Sequence, residues 1–180
     1  MPEQFPILSL ILWTPLVGAL ALLFVPRAQG RVIRWIGIGA TFVPLALSAW
    51  VYAAFDLADG GDQFAETLRW IQFSLNTELL EQLIGTVDEY RLQFDYALAA
   101  DGISLPLVFL TALIASMAAL ASVHIKQRHK TYFILFLLLE TGMLGVFMAR
   151  DLFLFFLFFE LTLVPMFFLI GIYGLHERED

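Results

Sequence analysis

Cysteine is missing from all 180 residues, which excludes disulfides, thiolate metal sites and cysteine-held iron–sulfur clusters within this chain. Charge is scarce as well: Asp, Glu, Lys and Arg make up 15% of the residues, against 60% that are apolar. A soluble domain of this size cannot hide so much apolar side chain, because small proteins keep a high surface-to-volume ratio. No basic patch interleaved with aromatics points to nucleic acid. A Gly-rich phosphate loop, a metal-ligand cluster and a nucleophile triad are all lacking, so no cofactor or metal is expected in this chain. Met1-Pro2-Glu3-Gln4 also lacks the positive start of a cleavable signal peptide, and the first apolar run is expected to be retained.

What is present is a series of apolar runs at about residues 5–25, 33–55, 103–123, 131–149 and 152–173. Each is long enough to cross a hydrocarbon core of roughly 30 Å as a helix of about 20 residues. The expected fold is therefore all-α integral membrane, with 1–180 forming a single membrane domain. Pro15 falls inside the first run, where neighbouring helices or local adjustment satisfy the freed carbonyl. Trp50, Tyr52 and Phe55 close the second, as expected of rings at a membrane interface.

Residues 56–101 differ in character. They hold Asp56, Asp59, Asp62, Glu66, Glu78, Glu81, Asp88, Glu89, Asp95 and Asp101 against only Arg69 and Arg91. Asp59-Gly60-Gly61-Asp62 reads as a turn. Leu79, Leu80, Leu83, Ile84 and Val87 fall at helical spacing, predicting a short amphipathic helix over 77–87. Trp70–Leu75 and Arg91–Leu98 read as extended, and the whole segment as an acidic loop folded over one membrane face. Asp101 is placed to cap the third helix, its carboxylate accepting from free first-turn N–H groups.

Orientation follows from counting Lys and Arg. With the N-terminus outside, Arg27, Arg31, Arg34, Lys126, Arg128, Lys130 and Arg178 lie inside, and only Arg69, Arg91 and Arg150 outside. The positive-inside rule thus favours a periplasmic N-terminus and acidic loop, with residue 180 cytoplasmic, in a bacterial inner membrane. His124, Lys126, His129 and Lys130 read first as topology-setting charges, with proton admission at the inner surface as the alternative.

Two acids interrupt the apolar runs, Glu140 in the fourth and Glu160 in the fifth. A charge at the bilayer centre costs roughly 2.5–3.5 kcal/mol on insertion scales, so such residues need a partner, a proton or water. Phe136, Leu137, Met143 and Leu144 surround Glu140 at helical spacing, and Phe156, Leu157, Leu163 and Val164 surround Glu160. Any base must come from another helix or subunit. Desolvation disfavours the charged form of each, and a nearby lysine would restore it. A carboxyl whose proton affinity swings with a moving partner is what a proton relay requires. The alternative is that both only fix helix packing by hydrogen bonding to a neighbour. Pro165 either exposes a carbonyl near Glu160 or is merely a tolerated kink.

The stretch ETGMLGVFMARDLFLFFLFFELTLVPMFFLIGIYG, Glu140 to Gly174, resembles the antiporter-like proton-pumping subunits of respiratory complex I, in particular subunit M, subunit 4 of mitochondria. Asp101-Gly-Ile-Ser-Leu-Pro106 is similar to the opening of that family's third helix, and Trp13-Thr-Pro15 to part of its first. The resemblance implies a chain that conducts protons, coupled to electron transfer from NADH to quinone elsewhere in the complex. It implies that Glu160 is the fifth-helix glutamate that pairs with a lysine on the seventh helix, and that Glu140 is a secondary candidate. Leu161-Thr-Leu-Val-Pro165 favours subunit M over the related subunits L and N. NADH, FMN, iron–sulfur clusters and quinone are then expected in partner subunits, with neighbouring antiporter-like subunits and lipid against this chain. The sequence departs from the family by stopping after the fifth helix, as a fragment or a split chain would, and by a longer acidic loop. Two rival readings remain: a subunit of a multi-subunit sodium/proton antiporter, and a structural or assembly subunit.

Overall fold

A computed structural model describes residues 6–56, 61–74, 91–125 and 128–174. The amphipathic helix expected over 77–87, Lys126 and the charged tail lie outside the described residues. Among those described, five helices are long and apolar enough to cross a membrane. They are α1 (Ile7–Phe24), α2 (Gly30–Ala54), α3 (Ser104–Ala121), α4 (His129–Met148) and α5 (Leu152–Tyr173). A 3-10 turn, Ser122–His124, extends α3. Each expected run is found, the second beginning three residues earlier than its apolar pattern.

α4 is the hub and packs against the other four helices. Small residues allow the close approaches. A Cβ at Gly145 would overlap the Phe158 ring of α5, and one at Gly142 would come within 2.7 Å of Thr162 Cγ2. Gly37 of α2 similarly makes room for Phe133, and Gly18 of α1 for Ala40. Without a hydrophobic force between helices in lipid, such tight van der Waals contact is a main source of association. Two buried apolar clusters result. One gathers Leu8, Ile11, Leu12, Leu105, Val108, Leu144 and Phe158, the other Leu22, Ile33, Ala115, Phe133 and Leu137.

The acidic segment contains a feature only partly legible beforehand: an antiparallel two-stranded sheet of β1 (Gln63–Ser74) and β2 (Arg91–Ala100). The expected extended stretches thus form strands, Trp70–Leu75 over its described residues 70–74 and Arg91–Leu98 throughout, and β1 starts seven residues earlier than expected. The register pairs Gln63 with Ala100, Arg69 with Asp95 and Gln72 with Gln93, with irregularities between Gln63 and Glu66 and between Arg69 and Ile71. Phe64, at φ 55°, lies in the first of these. Bulges of this kind re-aim side chains, and Glu66 follows directly.

Hydrogen bonds of Glu66, Arg150 and Tyr96 help fasten the sheet to the bundle. The Glu66 carboxylate accepts from Leu8 N at 2.7 Å and Ser9 N at 3.0 Å, and also from the Ser9 hydroxyl. Pro6, at the start of α1, has no capping side chain, so the helix end is capped from β1 instead. Arg150, between α4 and α5, donates to Asp62 at 2.6 Å and Asp101 at 2.8 Å, while its N–H bonds to Ala97 O at 2.9 Å. Tyr96 joins Trp13 Nε1 and Ser9 Oγ, each at 2.9 Å.

Candidate functional site

α4 and α5 are linked by three residues and run antiparallel beside one another. Glu140 is eight residues before the end of α4 and Glu160 eight after the start of α5. At 1.5 Å per residue both lie about 12 Å from the shared turn, at the same depth.

The structure does not bring them together. Phe158 and Thr162 of α5 face α4, as their contacts with Gly145 and Gly142 require. Glu160 is two residues from each, and two residues at 3.6 per turn carry a side chain about 160° away. Glu160 is accordingly exposed on the face of α5 turned from α4. α5 buries only Leu154, Phe158 and Pro165. Pro165 lies on the α4 side and leaves the Leu161 carbonyl, next to Glu160, without its helical donor. Phe153 packs on Phe94 and Trp70 of the sheet, whereas Phe155, Phe156 and Phe159 are exposed.

Glu140 is the opposite case, fully buried inside the bundle. It sits on α4 between Leu137 of one apolar cluster and Leu144 of the other. Other buried polar side chains of the bundle are satisfied by carbonyls: Thr141 bonds to Leu137 O, Thr41 to Ile38 O, and Ser116 reaches across to Thr41 O at 3.0 Å. Both Glu140 carboxyl oxygens lack a hydrogen-bond partner among the described residues. Leaving a buried polar group unpaired is costly, so its retention here needs a reason.

At the acidic end, Asp101 does cap α3. Its Oδ1 accepts from Ile103 N at 2.9 Å and Ser104 N at 2.6 Å, and the Asp101 N–H donates in return to Ser104 Oγ at 2.9 Å. The Ser104 N–H, then the Arg150 guanidinium, hold this carboxyl well below the usual carboxylate range. Burial pushes the Tyr96 phenol up. Asp151 caps α5 through Phe153 N and Leu154 N. Sequence reasoning missed this cap and the Glu66 cap. The Asp directly before the last apolar run signalled the first, whereas the second reaches across 58 residues and had no local signal.

At the other end, Lys130 spends its ammonium on Leu23 O at 3.1 Å and Val25 O at 2.8 Å, closing the carbonyl end of α1. Arg34 bonds to Ile125 O, and Tyr173 to Arg128 O. No group of three or more His, Cys, Asp or Glu poised for a metal occurs among the described residues.

A bundle of five helices, each long and apolar enough to cross a membrane, with one acid sealed inside and another on its open face, defines a multi-pass membrane protein. A solved archaeal respiratory complex, the membrane-bound sulfane sulfur reductase, contains a chain with the same fold at TM-score 0.66 and 25% identity. The match covers 93% of this chain and 23% of that one. The family described as NADH-ubiquinone oxidoreductase chain 4, amino terminus, matches residues 64–149. NADH-quinone oxidoreductase subunit M of Rhodobacter capsulatus is 38% identical over 176 residues, 96% of this chain and 30% of that protein. NAD(P)H-quinone oxidoreductase chain 4 1 of a Nostoc species is 35% identical over 179 residues, 97% of this chain and 29% of that protein. The chain belongs to the subunit M/chain 4 family and corresponds to its amino-terminal part. It spans about three-tenths of the length of these relatives.

Proposed function

We propose that this chain is the amino-terminal part of a proton-translocating membrane-arm subunit of NADH:quinone oxidoreductase, with Glu160 as the carrier of charge and proton. The observation that carries this reading is the position of Glu160, mid-helix and facing away from its own bundle. A structural acid gains nothing there, because a charge facing lipid is costly and unpaired. An acid awaiting a base from outside the five helices belongs there. The relatives are more than three times as long, which leaves ample chain to supply that base.

Glu140 serves in a secondary role, holding a proton within the bundle where no described partner competes for it. NADH, FMN, iron–sulfur clusters and quinone belong to partner subunits, and other antiporter-like subunits and lipid flank this one. The N-terminus and the sheet face the periplasm, and the basic end the cytoplasm, of a bacterial inner membrane. Seven of the ten Lys and Arg, named above, support this orientation.

The test is Glu160→Gln in the assembled complex, comparing proton pumping with assembly. Pumping falls sharply while assembly is retained. Normal pumping refutes the role, and lost assembly with normal pumping per complex moves the residue to a packing function. Co-purification with cation-antiporter subunits instead of quinone-reductase subunits would replace the electron-transfer coupling with ion exchange.

A further inference from the structure

Arg34 and Trp35 lie three and four residues after Arg31, and Ile38 lies four and three residues after them, so the four form one stripe of α2. With Leu120 of α3 and Val123 of the turn that follows, they line a groove of about 370 Å³. The stripe is ordered by depth. Both cations sit at the start of α2, at the basic end of the bundle, and the apolar residues follow toward the interior. Trp35 is 71% exposed, an indole laid open at the level where charge gives way to hydrocarbon.

The guanidinium of Arg34 is fixed in place but not used up. One nitrogen, Nη2, bonds to Ile125 O at 3.4 Å, and Nε is buried with no partner among the described residues. No described acid forms an ion pair with Arg31 or Arg34. Nearby positive charge reinforces the site: Arg27, Arg128 and Lys130 line, together with His129, a second cavity, of about 520 Å³, at the same end. An anion is needed to balance these groups, and an apolar tail to cover the groove below them.

We propose that this groove holds an anionic phospholipid of the leaflet on the basic side, its phosphate on Arg31 and Arg34 and an acyl chain along Trp35, Ile38, Leu120 and Val123. Charge complementarity selects the head, because guanidinium donors match phosphate oxygens in pairs. The head-to-tail order of the stripe selects a lipid over a soluble anion. Basic pockets between membrane helices are suited to such head groups. The inference is independent of the proton-carrier reading, since it uses neither Glu140 nor Glu160.

The experiment uses the intact membrane complex containing the chain, reconstituted in phosphatidylcholine nanodiscs with increasing photoactivatable phosphatidylglycerol. Cross-links are mapped by mass spectrometry and compared with those of an equivalent phosphatidylcholine probe. The glycerol-headed probe labels residues 31–38 and 120–123 at low mole fraction, and the choline-headed probe does not. Combining Arg31→Gln with Arg34→Gln raises the half-saturating mole fraction by about thirtyfold, the equivalent of roughly 2 kcal/mol at about 1.36 kcal/mol per decade for two cations. The paired Lys substitutions restore most of the labelling. Equal labelling by both probes overturns the proposal, as does wild-type labelling in the Gln pair. Displacement by inorganic phosphate would assign the site to a soluble anion, and cross-linking of the stripe to protein would assign the groove to another helix. If the Gln pair fails to assemble, the comparison of the two probes on the wild type still decides.

Discussion

Replacing Glu66 with alanine strips the first turn of α1 of its acceptors. Leu8 N and Ser9 N lose bonds of 2.7 and 3.0 Å, and the Ser9 hydroxyl loses its acceptor as well. Pro6 offers no side chain to take over. Loss of a cap costs about 0.5–2 kcal/mol, and loss of a negative charge at the positive end of a helix a further 0.3–1 kcal/mol or so. Together these make about 1–3 kcal/mol, or roughly fivefold to a hundredfold in the opening equilibrium of that turn. Hydrogen exchange in the assembled complex, followed by mass spectrometry over residues 6–13, reads this directly. The Leu8 and Ser9 amides exchange faster by that factor, while the far end of α1 is unchanged. Glu66→Gln, which keeps an acceptor oxygen but no charge, falls between alanine and the wild type. Unchanged exchange in the alanine variant refutes the idea that the sheet caps the helix.

The remaining predictions concern the bundle and the acidic end. Glu140→Gln lowers proton pumping less than Glu160→Gln does; a larger defect at Glu140 reverses the ranking of the two acids. Gly145→Val drives a side chain into the Phe158 ring and destabilises the α4–α5 pair by about 1–3 kcal/mol, measurable as a lower melting temperature of the complex. Asp101 is held low in the folded state, so its stabilisation is complete above its ordinary value of about 3.9 and is lost only as pH falls below it toward the folded value. Acid release of the sheet, followed by exchange over β2, therefore moves to higher pH in Arg150→Ala; an unmoved transition means that Arg150 does not hold it.

The membrane helices were legible because one physical quantity, an apolar run of sufficient length, decides them. Asp101 was legible as a cap because its partners lie within three residues. Glu140 and Glu160 stood out because an acid in hydrocarbon is conspicuous whatever surrounds it. Their facing was not legible. It depends on which small residues of α4 admit which rings of α5, and Gly142 and Gly145 are informative only once Phe158 and Thr162 are seen above them. The sheet was only half legible for a related reason. Trp70 and Phe94 have strand propensity, but the attachments that define the sheet, through Glu66 and Arg150, join residues 49 to 88 positions apart. No periodicity in a short window carries such pairings.

Two carboxyls at one depth but in two settings give the chain a pair of built-in spectroscopic probes. A carbonyl stretch responds to hydrogen bonding, and the two acids differ in that respect: Glu140 has no partner among the described residues, while Glu160 takes whatever environment its open face meets. In the infrared absorption spectrum of the working complex, the Glu140 band should hold its frequency and serve as an internal reference. The Glu160 band should then shift against it as partners approach and withdraw, reporting each change at the open face through a vibration rather than through a flux.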